Sequence, residues 1–224
     1  MKRVHVEVWS DFVCPWCWIA KRRFEKAVHQ SVGKVEVVVT HKAYRLAKGA
    51  APSDLKQVLV RKFGNQASAE QMMAAIAHNA AMEGLTYNFD TMRFGDTTDA
   101  HALLKSIAMP EERQLMIERL HLAATTEGRD IFDRKVLVSL AEEIGLDGGA
   151  IDFDFPPTAT EIVRDELEAS RVANGVPLFV FNDQFHISGA REVAVFKQAL
   201  LEAAIEMPKS DAAESSCSMD RCGI

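Results

Sequence analysis

Residues 4–9 alternate strictly. Val4, Val6 and Val8 fall on one face and His5, Glu7 and Trp9 on the other, which is the two-residue period of a β-strand. Ser10-Asp11-Phe12-Val13 reads as the loop behind it. From Pro15 the period becomes helical, with Ile19, Ala20, Phe24, Ala27 and Val28 on one stripe as far as about Gln30. Proline suits the first helical position, so Cys14 is the predicted N-cap. Gly33 closes this unit. Residues 35–40, Val-Glu-Val-Val-Val-Thr, are β-branched and dense, and predict a second, more buried strand. Strand, helix and strand within forty residues suggest a βαβ unit.

The middle of the chain changes character. From Ser53 to about Gly145 it is rich in Ala, Met, Leu, Glu and Lys at helical spacing, and no stretch makes a convincing strand. Ser53 or Asp54 caps a first predicted helix, and Ser68, with Glu70 and Gln71, a second. A third starts within 96–98 and ends before Pro110, which opens a fourth. Asp133 opens a fifth, ending near Gly145. Beyond Pro156-Pro157, Thr158 or Thr160 starts another helix, running to Asn174-Gly175. After Val176-Pro177, residues 178–181 and 185–187 flank the turn Asn182-Asp183 and predict a hairpin. A last amphipathic helix spans about 192–206. Residues 208–224 are small and polar, and are expected to form a mobile tail.

The order βαβ, helices, αββα changes the picture. If the two ends share one sheet, residues 1–50 and 156–207 make one discontinuous α/β domain, and 51–155 a helical insertion. A chain of 224 residues with 48% hydrophobic and 26% charged residues builds such a core without disulfide staples. Its four cysteines therefore need another explanation. A net charge of −6 makes nucleic acid an unexpected partner. The short basic run Lys21-Arg22-Arg23 reads as a solvated helix face. No window is apolar enough for a membrane span, and His5 and Glu7 interrupt any signal-peptide core, so the expected address is the cytoplasm. There a close cysteine pair is more often catalytic or metal-binding than structural.

That pair is Cys14-Pro15-Trp16-Cys17. A CxxC between a predicted strand and a helix is a much stronger signal than the bare motif. Cys14 at a helix N-terminus faces unpaired N–H groups and the positive end of the helix dipole, both of which favour a negative sulfur. Cys17, one turn on, is placed to attack a mixed disulfide formed at Cys14. Cys14, expected at the exposed helix start, is then the nucleophile and Cys17 the inward-pointing resolver. Trp16 and Trp18 offer flat apolar surface to a partner chain, though aromatics in this position as often pack locally. The competing reading is half of a zinc site, which needs two more ligands; Cys217 and Cys222 are the only other thiols.

With these residues in hand, the chain resembles the DsbA family, in particular its cytoplasmic FrnE-like branch. The resemblance rests on Val8-Trp9-Ser10-Asp11-Phe12-Val13-Cys14-Pro15-Trp16-Cys17, on the helical block, and on Gly175-Val176-Pro177-Leu178-Phe179-Val180-Phe181. It implies an α/β thioredoxin fold with a large all-helical insertion. It further implies thiol–disulfide oxidoreductase or isomerase activity on protein or peptide disulfides, with no cofactor beyond the redox-active disulfide and with glutathione or thioredoxin as exchange partners. It also implies a cis Val176–Pro177 bond beside the cysteines, leaving the Val176 backbone to pair with an extended substrate chain. Val176, Pro177 and Trp16 then form the substrate groove.

Kappa-class glutathione transferases and 2-hydroxychromene-2-carboxylate isomerases share the topology but generally lack the cysteine pair. A glutathione-dependent transferase or isomerase is the alternative activity, and a zinc-binding or chaperone-like interaction protein the other. In the tail, Cys217-Ser218-Met219-Asp220-Arg221-Cys222 has the spacing of an auxiliary pair that some FrnE-like proteins carry. Two solvent-exposed thiols with no role, or a disulfide that only orders the tail, are the plainer explanations. The seven histidines show no metal-binding spacing, and His41 and Tyr44 read as loop residues, either solvated or edging the active-site cleft.

Overall fold

The computed structural model describes residues 1–205. A four-stranded sheet has the order β2-β1-β5-β6, built from β1 (Lys2–Ser10), β2 (Val35–Ala43), β5 (Leu178–Phe181) and β6 (Phe185–Ser188). β2 lies parallel to β1, with Val8 opposite His41, whereas β5 runs antiparallel with Phe179 opposite Val8. Strands from the two ends of the chain thus meet in one sheet. The predicted hairpin forms, turning through Asn182 and Asp183, both at positive φ, a conformation these residue types tolerate.

One sheet face is covered by α1 (Pro15–His29) and α8 (Val193–Ile205). Ala20, Phe24 and Ala27 meet Phe179, Phe181, Phe196 and Leu200 there, together with Val4, Val6 and Val8. The other face carries Trp9, Leu178 and Val180 against Ala169 of α7 (Pro156–Ser170). The Trp9 indole donates to the Asp165 carbonyl at 2.7 Å, and the Asp165 carboxylate accepts from the Ala43 N–H at 2.9 Å.

Between the halves lie α2 (Leu55–Phe63), α3 (Gln66–Met82), α4 (Thr98–Ser106), α5 (Pro110–Leu122) and α6 (Arg134–Glu143). Asp54 and Asp133 cap α2 and α6 with their side chains, as their positions predict. Three boundaries differ from the sequence reading. α3 starts at Gln66, because Asn65 accepts from the Ser68 N–H and takes the cap that Ser68 was expected to supply. α7 starts at Pro156, since proline's fixed φ suits the first turn, and it stops at Ser170. The helical block also contains strands: β3 (Ser53–Asp54) pairs antiparallel with β4 (Arg93–Phe94). A two-residue ladder leaves no periodic signal to find.

The block's core, drawn from α4, α5 and α6, includes Phe12 and Val13, both almost wholly buried. The loop that ends at Cys14 is therefore plugged into the helical block, while the strand before it belongs to the sheet. The run Lys21-Arg22-Arg23 is not a solvated face. Lys21 and Arg23 are buried, and ion pairs to Glu118 and Glu83 tie α1 to α5 and to the residue following α3. Neither acid is adjacent in sequence, so the burial was not visible there. Among the described residues no helix is long and apolar enough to cross a membrane.

Candidate active site

β1 ends at Ser10, the chain turns through Asp11-Phe12-Val13, and α1 begins at Pro15 with Cys14 as its N-cap. The turn is closed by Cys14 N–H donating to the Asp11 carbonyl at 3.1 Å. Both cysteines are free thiols. Cys14 is 5% exposed and Cys17 2%, which corrects the expectation of an exposed Cys14. Val176, 162 residues away in sequence, lies against the helix start. There the Val176–Pro177 bond is cis, and the Cys14 thiol donates to the Val176 carbonyl at 3.8 Å. Cys14, Val176 and Pro177 are thus brought together, as the resemblance implied.

Cys17 lies one turn deeper. The Asp11 N–H donates to its sulfur at 3.5 Å. Burial, the hydrogen bond to Cys14 and the neighbouring Asp11 carboxyl all push its thiol well above the ordinary range. A buried thiolate is costly in a desolvated site, so Cys17 rests as a thiol.

Asp11 organises the loop. Its carboxyl accepts from Thr97 Oγ1 at 2.8 Å, from the Leu46 N–H at 2.7 Å and from the Val13 N–H at 3.4 Å. The side chain thereby joins the active-site loop to the segment after β2 and to the start of α4. Full burial raises its pKa to about 7, outweighing the hydrogen bonds that oppose the rise. The sequence reading missed Asp11. Its only local signal was a charged residue in a loop, which is the commonest place for one.

Of the two roles open to the tryptophans, Trp18 takes local packing. Trp18 is buried rather than offered to a partner. Its ring stacks between Tyr87 at 6.0 Å and His121 at 5.8 Å, and its indole N–H donates to Glu118 at 3.1 Å. Trp16 is half-buried and packs at the edge of the same cluster. The Tyr87 hydroxyl donates to the Pro15 carbonyl at 2.6 Å, pinning the first turn of α1 from outside the motif.

Three histidines converge behind the cysteines. His41 belongs to β2 rather than a loop, and its ring nitrogen lies 2.7 Å from the Gln114 amide. Burial and the Lys21 and Arg113 charges lower it to about 3. His101 packs on Phe12, and burial lowers it to about 3 as well. His121 is buried against Phe12 and Trp18 and is lowered well below the usual histidine range. Tyr44, beyond β2, packs beside Trp9. Among the described residues no three His, Cys, Asp or Glu side chains converge as metal ligands. Cys217 and Cys222 lie outside the described residues, as does the expected tail.

Comparisons with known proteins agree with this geometry. A family model described as the DSBA-like thioredoxin domain matches residues 5–201. The uncharacterized protein YwbO of Bacillus subtilis is 30% identical over 207 residues, covering 88% of this chain and 96% of its own. A crystal structure of a probable DsbA oxidoreductase from Streptomyces coelicolor superposes with a TM-score of 0.84 at 31% identity, covering 99% of each chain. The cytosolic disulfide reductase DsbM of Pseudomonas aeruginosa, crystallised with glutathione, shares the fold at a TM-score of 0.61 and 18% identity, covering 90% of this chain and 96% of its own. With a thioredoxin-type sheet, a helical insertion and a CxxC at the start of α1, the chain belongs to the DsbA-like family of thioredoxin-fold oxidoreductases.

Proposed function

We propose that the protein is a cytoplasmic thiol–disulfide oxidoreductase or isomerase acting on protein or peptide disulfides. The observation that carries the reading is the Cys14–Cys17 pair at the N-terminus of α1, with Cys14 under the Val176 carbonyl and Cys17 enclosed behind it. The Cys14 thiolate attacks a substrate disulfide, forming a mixed disulfide and releasing one substrate thiolate. Cys17 then attacks Cys14 Sγ, the Cys14–substrate bond breaks, and the second thiolate leaves. The substrate gains two electrons and the protein is left with a Cys14–Cys17 disulfide. Both substrate thiolates take up protons, replacing those lost by the two cysteines.

Two molecules of glutathione, or one of thioredoxin, return the disulfide to the dithiol. Glutathione is supported by the fold shared with a disulfide reductase crystallised with it. Since the Cys14 thiol already bonds the Val176 carbonyl, an incoming extended chain takes over that acceptor as Cys14 is consumed. Trp16 and Pro177 flank the approach. Cys217 and Cys222 serve as an auxiliary pair exchanging with Cys14–Cys17.

Insulin reduction by the wild type and by Cys14→Ser tests the central reading. Wild-type turnover lost in the variant is expected, and equal activity in both overturns it. In Cys217→Ser/Cys222→Ser, slower turnover with a peptide disulfide is expected. Unchanged rate and unchanged redox poise remove the tail from the scheme.

A further inference from the structure

Behind Cys17 is a small cavity of about 20 Å³, whose walls include Cys17, Ser10, Lys21, His41 and His121. That is room for one water molecule, which needs roughly 10–15 Å³ and two to four polar partners. His121 is buried, and its Nδ1 has no hydrogen-bond partner in the protein. The walls thus bring together a thiol, a histidine whose Nδ1 is unpaired and a second imidazole around a space of one-water size.

Lys21, Phe24 and His41 line both this inner cavity and a surface groove of about 480 Å³ on the far side. Phe24 cannot carry a proton. The Lys21 ammonium is held by Glu25 and Glu118 and has no lone pair to offer. His41 remains; kept neutral by burial, with Gln114 2.7 Å from one ring nitrogen, it passes a proton on by accepting at one nitrogen while releasing from the other, and it borders a polar cleft of about 190 Å³ with Lys42, Arg113 and Asp165. His121 offers no such exit, because it is enclosed by Trp18 and Phe12. Asp11 is the competing acceptor, but its carboxyl is occupied by Thr97, Leu46 and Val13 and is not part of the cavity wall.

We propose that this cavity is a one-water site anchored by Cys17 Sγ and His121 Nδ1, and that His41 relays the Cys17 proton between that water and the surface. The inference rests on the redox reading above. As Cys17 Sγ attacks the Cys14–substrate disulfide, its proton passes to the water and out through His41. The Cys14–Cys17 bond forms, the Cys14–substrate bond breaks, and the departing thiolate is protonated from solvent. His41 acts as a relay residue, since the water stands between it and Cys17 Sγ.

Single-turnover reaction with 5,5′-dithiobis(2-nitrobenzoate) in the Cys217→Ser/Cys222→Ser background separates the steps. Cys14 releases the first thionitrobenzoate and Cys17 the second. In His41→Phe the first release stays within about twofold of the parent. The second slows about 100-fold at pH 7, the low end of what positioned proton transfer contributes. It then recovers about tenfold per pH unit as hydroxide replaces the relay. His41→Gln, which keeps a polar side chain but cannot pass a proton on, shows the same split if the phenylalanine variant does not fold.

An unchanged second phase overturns the inference. So does equal slowing of both phases, or the same loss in Asp11→Asn with none in the His41 variants. Absence of both releases in the parent refutes the redox reading itself, which is a different result.

Discussion

Asp11→Asn tests the reading of the loop hub most directly. Asp11 is fully buried, and its pKa rises from 3.8 to about 7. The folded protein therefore favours the neutral carboxyl. Its contribution is fully present below pH 3.8 and is lost as pH rises through 7, because the unfolded chain releases this proton first. Integrated between pH 5 and 8.5, the loss is about 3 kcal/mol, at 1.36 kcal/mol per pKa unit.

Asparagine is nearly isosteric and cannot ionise. Its carbonyl still accepts from the Leu46 N–H, and its amide can donate to Thr97 Oγ1, whose hydroxyl rotates. The weaker Val13 bond at 3.4 Å is lost, a pH-independent cost of about 1 kcal/mol. Urea unfolding of both proteins at pH 5 and 8.5 gives the comparison. The variant is expected to be less stable at pH 5 and to gain about 3 kcal/mol on the wild type by pH 8.5. Taking the difference cancels the histidines, which titrate in both proteins. Parallel stability curves across that range would refute the claim that burial holds Asp11 protonated.

The remaining predictions use other parts of the structure. Cys17→Ser, incubated with a peptide disulfide, accumulates the Cys14 mixed disulfide, detectable as a mass increase of one peptide. A variant that turns over without such an adduct removes Cys17 as the resolver. His101 is neutral in the fold at about 3 against 6.5 unfolded, so its contribution is present above pH 6.5 and lost as pH falls towards 3. At pH 4.5 this amounts to about 2–3 kcal/mol, and His101→Phe should show a correspondingly shallower acid limb in urea titrations. Phe179, packed 4.7 Å from Phe196 and 5.2 Å from Phe24, is expected to cost about 3–5 kcal/mol on truncation to Ala. A loss below about 1 kcal/mol by urea unfolding would place the core elsewhere.

Much of the architecture was legible because it rests on local periodicity. The alternation at Val4, Val6 and Val8 marks β1, and the change of period at Pro15 marks α1 and makes Cys14 its cap. Asp54 and Asp133 announce helix starts, because an N-cap is satisfied within three residues of itself. Ser68 misled for the same reason: Asn65, three residues earlier, is an equally good cap, and only the backbone decides between them.

The sequence by itself determined the chemistry and its place. It put a cysteine pair at a helix N-terminus after a strand, a helical block in the middle, and a second αββα segment able to share the first one's sheet. These follow from contacts between residues a few positions apart. The tertiary structure alone decided the surroundings of the two sulfurs. Val176 meets Cys14 across 162 residues, Thr97 meets Asp11 across 86, and Tyr87 meets Pro15 across 72. His41 and His121 come to Cys17 from β2 and α5, and Lys21 finds Glu118 on α5. Burial shifts a titrating group only when packing closes around it, and no run of neighbouring residues records that closure. That is why Cys14 was expected in the open and Asp11 was overlooked.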